Sequence, residues 1–304
     1  MKIALLNNYT QEPDCTHWKG TRKAIKWLGH ELCQVDVRAT KPEQQLAALA
    51  AFDPELIIYG IDDVIYSGVY TAIREKFTCP IFMWYCELRN EETGGTFDND
   101  LEKYIDILFL TNDGQEDYYK KKNKLKQVKY LPQAGNPVDI PFYHETWAYD
   151  AVFIGTKESS GFWGRRDQFL EVFRRSGLKF EHINGGTPAE KMMWYQRMSL
   201  IYGSSKICLD ISHAWHVRKY CSNRYYVIPS RGGFSLTKRF PGCEEQYPEG
   251  VGKVYFDTTE EMLEKANYYL AHEDERHDIR LKGLEHCKQN HTYIHRIKEM
   301  LSYV

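Results

Sequence analysis

Residues 129–156 read "KYLPQAGNPVDIPFYHETWAYDAVFIGT". The stretch leaves one apolar strand at Leu131 and enters another at Asp150. Between them lie Pro132, Pro137 and Pro141, with no helical or strand period. Proline fixes φ and donates no backbone N–H, so such a run joins folded parts rather than forming one.

Toward the N-terminus, strand and helix alternate. "KIALLNN", "ELCQVDVR", "ELIIYGID", "CPIFMWYCE", "DILFLTND" and "QVKYLP" read as strands. "THWKGTRKAIKWLGH", "PEQQLAALAAF", "SGVYTAIREKF", "DLEKYI" and "GQEDYYKKKN" read as the helices between them. Continuous apolar strands separated by helices predict a parallel sheet covered on both faces. Toward the C-terminus the alternation restarts. "DAVFIGT", "KFEHING", "KICLDIS", "GGFSLTK" and "GKVYF" are strands, with helices at "GRRDQFLEVFRRSG", "AEKMMWYQRMSLIYG" and "TTEEMLEKANYYLAH". The last begins with Thr258 and Glu261 at capping-box spacing, and the chain from Glu273 onward is helical and charged. The expectation is α/β: two doubly wound, Rossmann-like halves dividing near residues 132–150. Ligands of such sheets sit outside the carboxyl ends of the strands.

Composition agrees with a folded, ligand-binding chain. There are 304 residues, of which 14% are aromatic, including 22 tyrosines. Disordered chains are poor in aromatics. Charge is nearly balanced but unevenly placed. Residues 1–145 hold 17 Lys+Arg and 22 Asp+Glu, whereas residues 146–304 hold 23 and 20. The second half is the better host for an anion. The eight cysteines form no C-x-x-C pair, so zinc and thioredoxin-like chemistry lack support. With no signal-peptide pattern and no long apolar run, a soluble cytoplasmic protein is expected, with no membrane insertion.

Several segments have the residue types for anion chemistry. In "VFIGTKESSGFWGRR" Gly155 follows a strand, where a missing Cβ lets backbone N–H groups approach a phosphate. An ordinary strand-to-helix turn explains the same residues. In "SNRYYVIPSRGGFSL" Arg224 precedes the Gly232–Gly233 pair, and a guanidinium near a backbone turn suits a diphosphate. A glycine-ended helix is the competing account. "FPGCEEQYPEG" offers Glu244 and Glu245, whose carboxylates could accept ribose hydroxyls, or form an exposed acidic loop. In "HAWHVRKY" His213 and His216 follow a strand. Two histidines make a poor metal site, and His213 at a cleft could bond a phosphate or sugar hydroxyl. Asp98 and Asp100 have D-x-D spacing, but helix capping explains them more simply. Asp14, His17 and Glu87 follow strands of the first half and are candidate general bases. "KKKNKLKQVK" ends a helix, where lysines suit the dipole without any nucleic acid.

The order of "NRYYVIPSRGGFSLT", "FPGCEEQYPEG", "VYFDTTEEMLEKANYYLAHEDERHDI" and "HTYIHRIKEML" resembles the closing region of group 1 glycosyltransferases, in the CgeB-like, spore maturation protein-like branch. "YDAVFIGT", "GRRDQFLEVF" and, in the first half, "YIDILFLTNDGQEDYYKK" with "QVKYLPQAGNP" extend the likeness to about two thirds of the chain. The resemblance implies the GT-B fold, with residues 1–140 an acceptor domain and 141–290 a nucleotide-sugar-binding domain. Residues 291–304 would be a helix returning toward the first domain. It implies a metal-independent transfer to a hydroxyl from a nucleotide sugar, UDP-sugar favoured, with no further cofactor. The donor region is Gly155, His213, Ser222, Arg224, Gly232, Gly233, Glu244 and Glu245. One departure stands out: the family has an acid three residues after the motif arginine, and this chain has Val227. Two alternatives follow. One is an acceptor that is DNA bearing a modified, hydroxymethylated base; the other is binding of nucleotide or sugar without catalysis.

Overall fold

The computed structural model describes residues 1–7, 16–60, 67–88, 101–136, 141, 148–156, 165–183 and 197–304. Their strands form two sheets rather than one. Contacts divide the chain into two compact units. The first comprises Met1–Pro13, Trp18–Gln133 and Ile294–Val304, and the second Asp14–His17 and Ala134–Tyr293.

In the first unit β1 (Lys2–Asn7), β2 (Glu31–Asp36), β3 (Leu56–Gly60), β4 (Ile81–Tyr85), β5 (Ile107–Leu110) and β6 (Val128–Tyr130) lie in the order β2-β1-β3-β4-β5-β6. Every ladder is parallel. "LIIYG" and "IFMWY" are buried at every position, as a central strand covered on both faces requires. The helices α1 (Thr16–Trp27), α2 (Pro42–Phe52), α3 (Ser67–Lys76) and α4 (Glu116–Lys122) link the strands. In α2, Pro42 takes the first turn, where its missing N–H costs nothing. The last residue of β3 is Gly60, where a Cβ would lie 2.0 Å from the Trp18 indole.

The second unit has β7 (Tyr149–Ile154), β8 (Phe180–Ile183), β9 (Ser205–Asp210), β10 (Ser235–Lys238) and β11 (Lys253–Phe256), in the order β11-β10-β9-β7-β8 and again all parallel. Helices α5 (Arg166–Arg175), α6 (helical at residues 197–203), α7 (Arg224–Ser230), α8 (Thr259–Ala271) and α9 (Glu273–Asn290) cover it. Alternate strand residues feed different cores. Ala151, Phe153, Ile207 and Leu209 pack with α5 and α8 residues, whereas Val152, Ile154 and Cys208 pack with Val227 and Ile228 of α7. The predicted cap of α8 forms: Thr258 accepts from the Glu261 N–H at 3.2 Å, and Glu261 accepts from Asp257 N at 2.7 Å.

The last helix, α10 (Tyr293–Leu301), joins the first unit from Ile294 onward. Arg296 Nε donates to the Pro132 and Gln133 carbonyls at 3.0 and 3.2 Å. The Tyr303 ring meets Phe109 at 5.7 Å. Among the described residues no helix is long and apolar enough to cross a membrane.

Candidate functional site

The order β11-β10-β9-β7-β8 reverses direction between β9 and β7. At such a reversal the connections leave on opposite faces and a crevice opens beyond the carboxyl ends of the two strands. Arg224 lies across that point. Its Nη1 donates to the Ile154 carbonyl at the end of β7 at 3.0 Å, and its Nη2 to the Ile211 carbonyl just past β9 at 2.9 Å. Its guanidinium carbon is 4.8 Å from the Phe153 ring centroid. Gly155 makes this possible: its φ is +151°, and a Cβ there would lie 2.6 Å from Arg224 Nη1. The glycine predicted to admit a phosphate admits the arginine in this structure.

A second buried guanidinium stands beside the first. Arg166, the first residue of α5, donates to the Thr156 carbonyl at 2.6 Å and sits 5.2 Å from the same Phe153 ring. Burial, and then the Arg224 charge, push its pKa down to about 9, so it is a cation at neutral pH. His213 follows β9 and is half-buried. Burial first, then the Arg166 and Arg224 charges, lower its pKa to about 4. It is thus a neutral imidazole, able both to donate and to accept. Ser222 precedes α7, and its N–H donates to Ser212 Oγ at 3.0 Å. The Ser222 Oγ is buried with no hydrogen-bond partner among the described residues.

Other predicted residues are placed differently. Gly232 and Gly233 are not beside Arg224, because α7 separates them. The helix starts at the carboxyl ends of the strands and runs back to the start of β10. Both glycine N–H groups are spent closing it, on the Pro229 and Ile228 carbonyls at 3.0 Å. A Cβ on Gly233 would lie 2.8 Å from Ile228 Cγ2. The pair is a helix end packed in the core, the competing account of the sequence. Val227 is 2% exposed among Val152, Ile183, Met198 and Ile228, so hydrocarbon fills this position.

Glu244 and Glu245 are exposed and ion-paired within the chain. Glu244 binds Arg239. Glu245 takes Arg218 Nη2 on both oxygens, at 2.6 and 2.8 Å, and Lys219 at 2.9 Å. His17 is buried, with Nδ1 3.1 Å from the Tyr293 hydroxyl, and desolvation lowers its pKa to about 3. A group with that proton affinity is a poor base at neutral pH. Glu87 is exposed just past β4. Asp14, Asp98 and Asp100 lie outside the described residues.

Three residues of this site escaped the sequence reading. Arg166 looked like the start of a helix, and its neighbour Arg165 is solvated, with a side chain 73% exposed. Asp210 ends the apolar run "KICLD", and a charge closing a buried strand was the available signal. Lys253, fully buried, carried none.

Residues 162–302 match a family model described as glycosyl transferase-like. No curated protein is matched by the chain. Solved structures match along its whole length. Sucrose-phosphate synthase from Thermosynechococcus elongatus superposes with a TM-score of 0.64 at 10% identity, covering 100% of this chain and 98% of that one. A glycosyltransferase from Rickettsia africae ESF-5 gives 0.61 at 8%, over 99% and 97%. The Anabaena protein HepE, in complex with UDP and glucose, gives 0.57 at 11%, over 100% of both chains. At these identities the likeness is one of fold, and the fold is GT-B.

Proposed function

We propose, from a C-terminal half that carries a glycosyl transferase-like domain, that the chain transfers a sugar from a nucleoside-diphosphate sugar to a hydroxyl. One observation carries the reading: a guanidinium lies across the β7/β9 reversal, with a second on the same aromatic ring. As the glycosidic bond breaks, the diphosphate gains negative charge. Cations already fixed in a dry crevice stabilise that charge without reorganising. Arg224 Nη1 and Nη2 each spend one N–H on a carbonyl and each carry a second. Those N–H groups, the Ser222 hydroxyl and neutral His213 would bind phosphate oxygens.

Charge supports a dianion. Arg166 and Arg224 place two guanidiniums on the Phe153 ring, while the carboxylate beside them, Asp210, is shared with buried Lys253. Buried charge is costly until compensated, and the diphosphate of a nucleotide sugar brings two negative charges. UDP is the favoured nucleotide because HepE, of the same fold, is described with UDP and glucose. With Val227 apolar, ribose recognition would fall to Glu244 or Glu245, which would have to leave its ion pair with Arg239 or with Arg218 and Lys219 to do so. The guanidinium pair supports transfer without a divalent metal. The CgeB-like branch belongs to the same reading and rests on the motif order in residues 222–304.

Calorimetric titration of Arg224→Ala tests this. UDP affinity should fall by roughly 1.5–3 kcal/mol, the worth of a charged hydrogen bond, while uridine binding is unchanged. Equal losses for both would make Arg224 structural and remove the reading.

A further inference from the structure

Arg224 has a third edge, and it faces inward. Its Nε lies 3.7 Å from Asp210 Oδ1. Asp210 is 1% exposed, and neither carboxylate oxygen has a hydrogen-bond partner among the described residues. Its other oxygen, Oδ2, is 3.7 Å from Lys253 Nζ. Lys253 has no exposed surface. Its ammonium sits 3.9 Å from the Tyr225 ring centroid and 5.1 Å from that of Tyr247. Two aromatic faces and one carboxylate thus replace its water.

A buried carboxylate between two cations is a weak stability device, since desolvation offsets most of the attraction. As an orienting device it acts through charge, at 3.7 Å from Nε. The guanidinium is planar, so fixing its Nε edge fixes the direction of both Nη groups. On the reading that Arg224 binds the donor diphosphate, we propose that Asp210, braced from behind by Lys253, is a positioning residue for that arginine. Lys253 holds Asp210, and Asp210 holds Nε. The two outer N–H groups of Arg224 are thereby aimed into the crevice before a ligand arrives. The first tyrosine of "RYYVIPS" serves the same end. Tyr225 gives Lys253 its aromatic face, and its hydroxyl is tied to the Cys243 carbonyl at 2.8 Å.

A double-mutant cycle on UDP affinity tests the proposal, using Asp210→Asn, Arg224→Ala and the pair, with uridine as the control. Asp210→Asn should weaken UDP by about tenfold, within the range of direct couplings, and leave uridine unchanged. The double variant should bind UDP no worse than Arg224→Ala alone, because a misaimed arginine and an absent one fail alike. A loss from purely structural damage would add to that of Arg224→Ala and would also touch uridine; either result overturns the proposal. If Asp210→Asn does not fold, Asp210→Asn/Lys253→Met takes its place in the same cycle, since it removes both buried charges together. Should Arg224→Ala itself leave UDP binding intact, the diphosphate reading fails first. A loss in Arg224→Ala with none in the Asp210 variant removes only the positioning role.

Discussion

Neighbouring arginines in one sequence can have opposite fates. Arg165 is solvated and pairs with Asp167 at 3.5 Å, while Arg166 is buried on the Phe153 ring. Arg166→Ala should therefore lower UDP affinity about tenfold or more, the worth of a charge-assisted hydrogen bond. Arg165→Ala should change it little, and calorimetry distinguishes the two. His17 makes a prediction about stability instead. Its pKa is about 3 in the fold against the usual 6.5. Above pH 6.5 the imidazole is neutral in folded and unfolded chains, and stability is at its fullest. Below that the unfolded chain takes up a proton that the fold refuses. Stability should therefore fall as the pH drops from 6.5 toward 3, by up to about 1.4 kcal/mol per pH unit. His213 acts in the same sense down to about 4. Urea unfolding near neutrality and again in mild acid should show a smaller acid loss in His17→Gln than in the wild type.

At the scale of elements, α7 does two jobs at its two ends. Seven residues span about 10 Å, so Arg224 at its start and Gly232 beyond its end act at different places. Gly232 has φ +77°, a conformation that costs a Cβ-bearing residue about 1–2 kcal/mol. Gly232→Ala should lower unfolding free energy by about that amount and leave UDP affinity unchanged. Gly155→Ala should do the reverse at the site. Its Cβ would collide with Arg224 Nη1, so UDP affinity should fall. Titrating both variants beside their melting curves checks the contrast. Loss of UDP binding in Gly232→Ala would return the glycine pair to the donor site.

On the scale of the whole molecule, each unit is a parallel sheet with its own reversal. In the first, order β2-β1-β3 turns at β1, which ends on Asn7, and Glu87 follows β4. Asp14 and Glu87 remain the bases to test. Replacing the correct one by Ala should abolish transfer while UDP binding survives. Unchanged turnover in both would favour a retaining mechanism. Transfer should also persist in EDTA if the guanidinium pair supplies the charge. The lysines from Lys120 to Lys126 precede β6, at the strand-start edge of the first sheet. They are therefore away from the carboxyl ends where an acceptor is expected, and they lend no support to a DNA acceptor.

Sequence alone sets the layering. Unbroken apolar runs such as "LIIYG" and "IFMWY", short and rich in β-branched or aromatic residues, read as strands buried on both faces, and the proline-rich connection divides one series of strand–helix units from the next. It also determined local devices, such as the Thr258 cap and the glycine that closes β7. These signals are legible because each acts within a few residues of chain. The folded arrangement sets which charges meet. Arg166, Asp210, Arg224 and Lys253 come from α5, β9, α7 and β11, and their meeting depends on the sheet order that sets β9 between β7 and β10. It likewise decided that Arg224 and Gly232–Gly233, a few residues apart in sequence, stand at opposite ends of a helix. Periodicity reports which face a residue takes, but not which end of the sheet it reaches or what charge waits there.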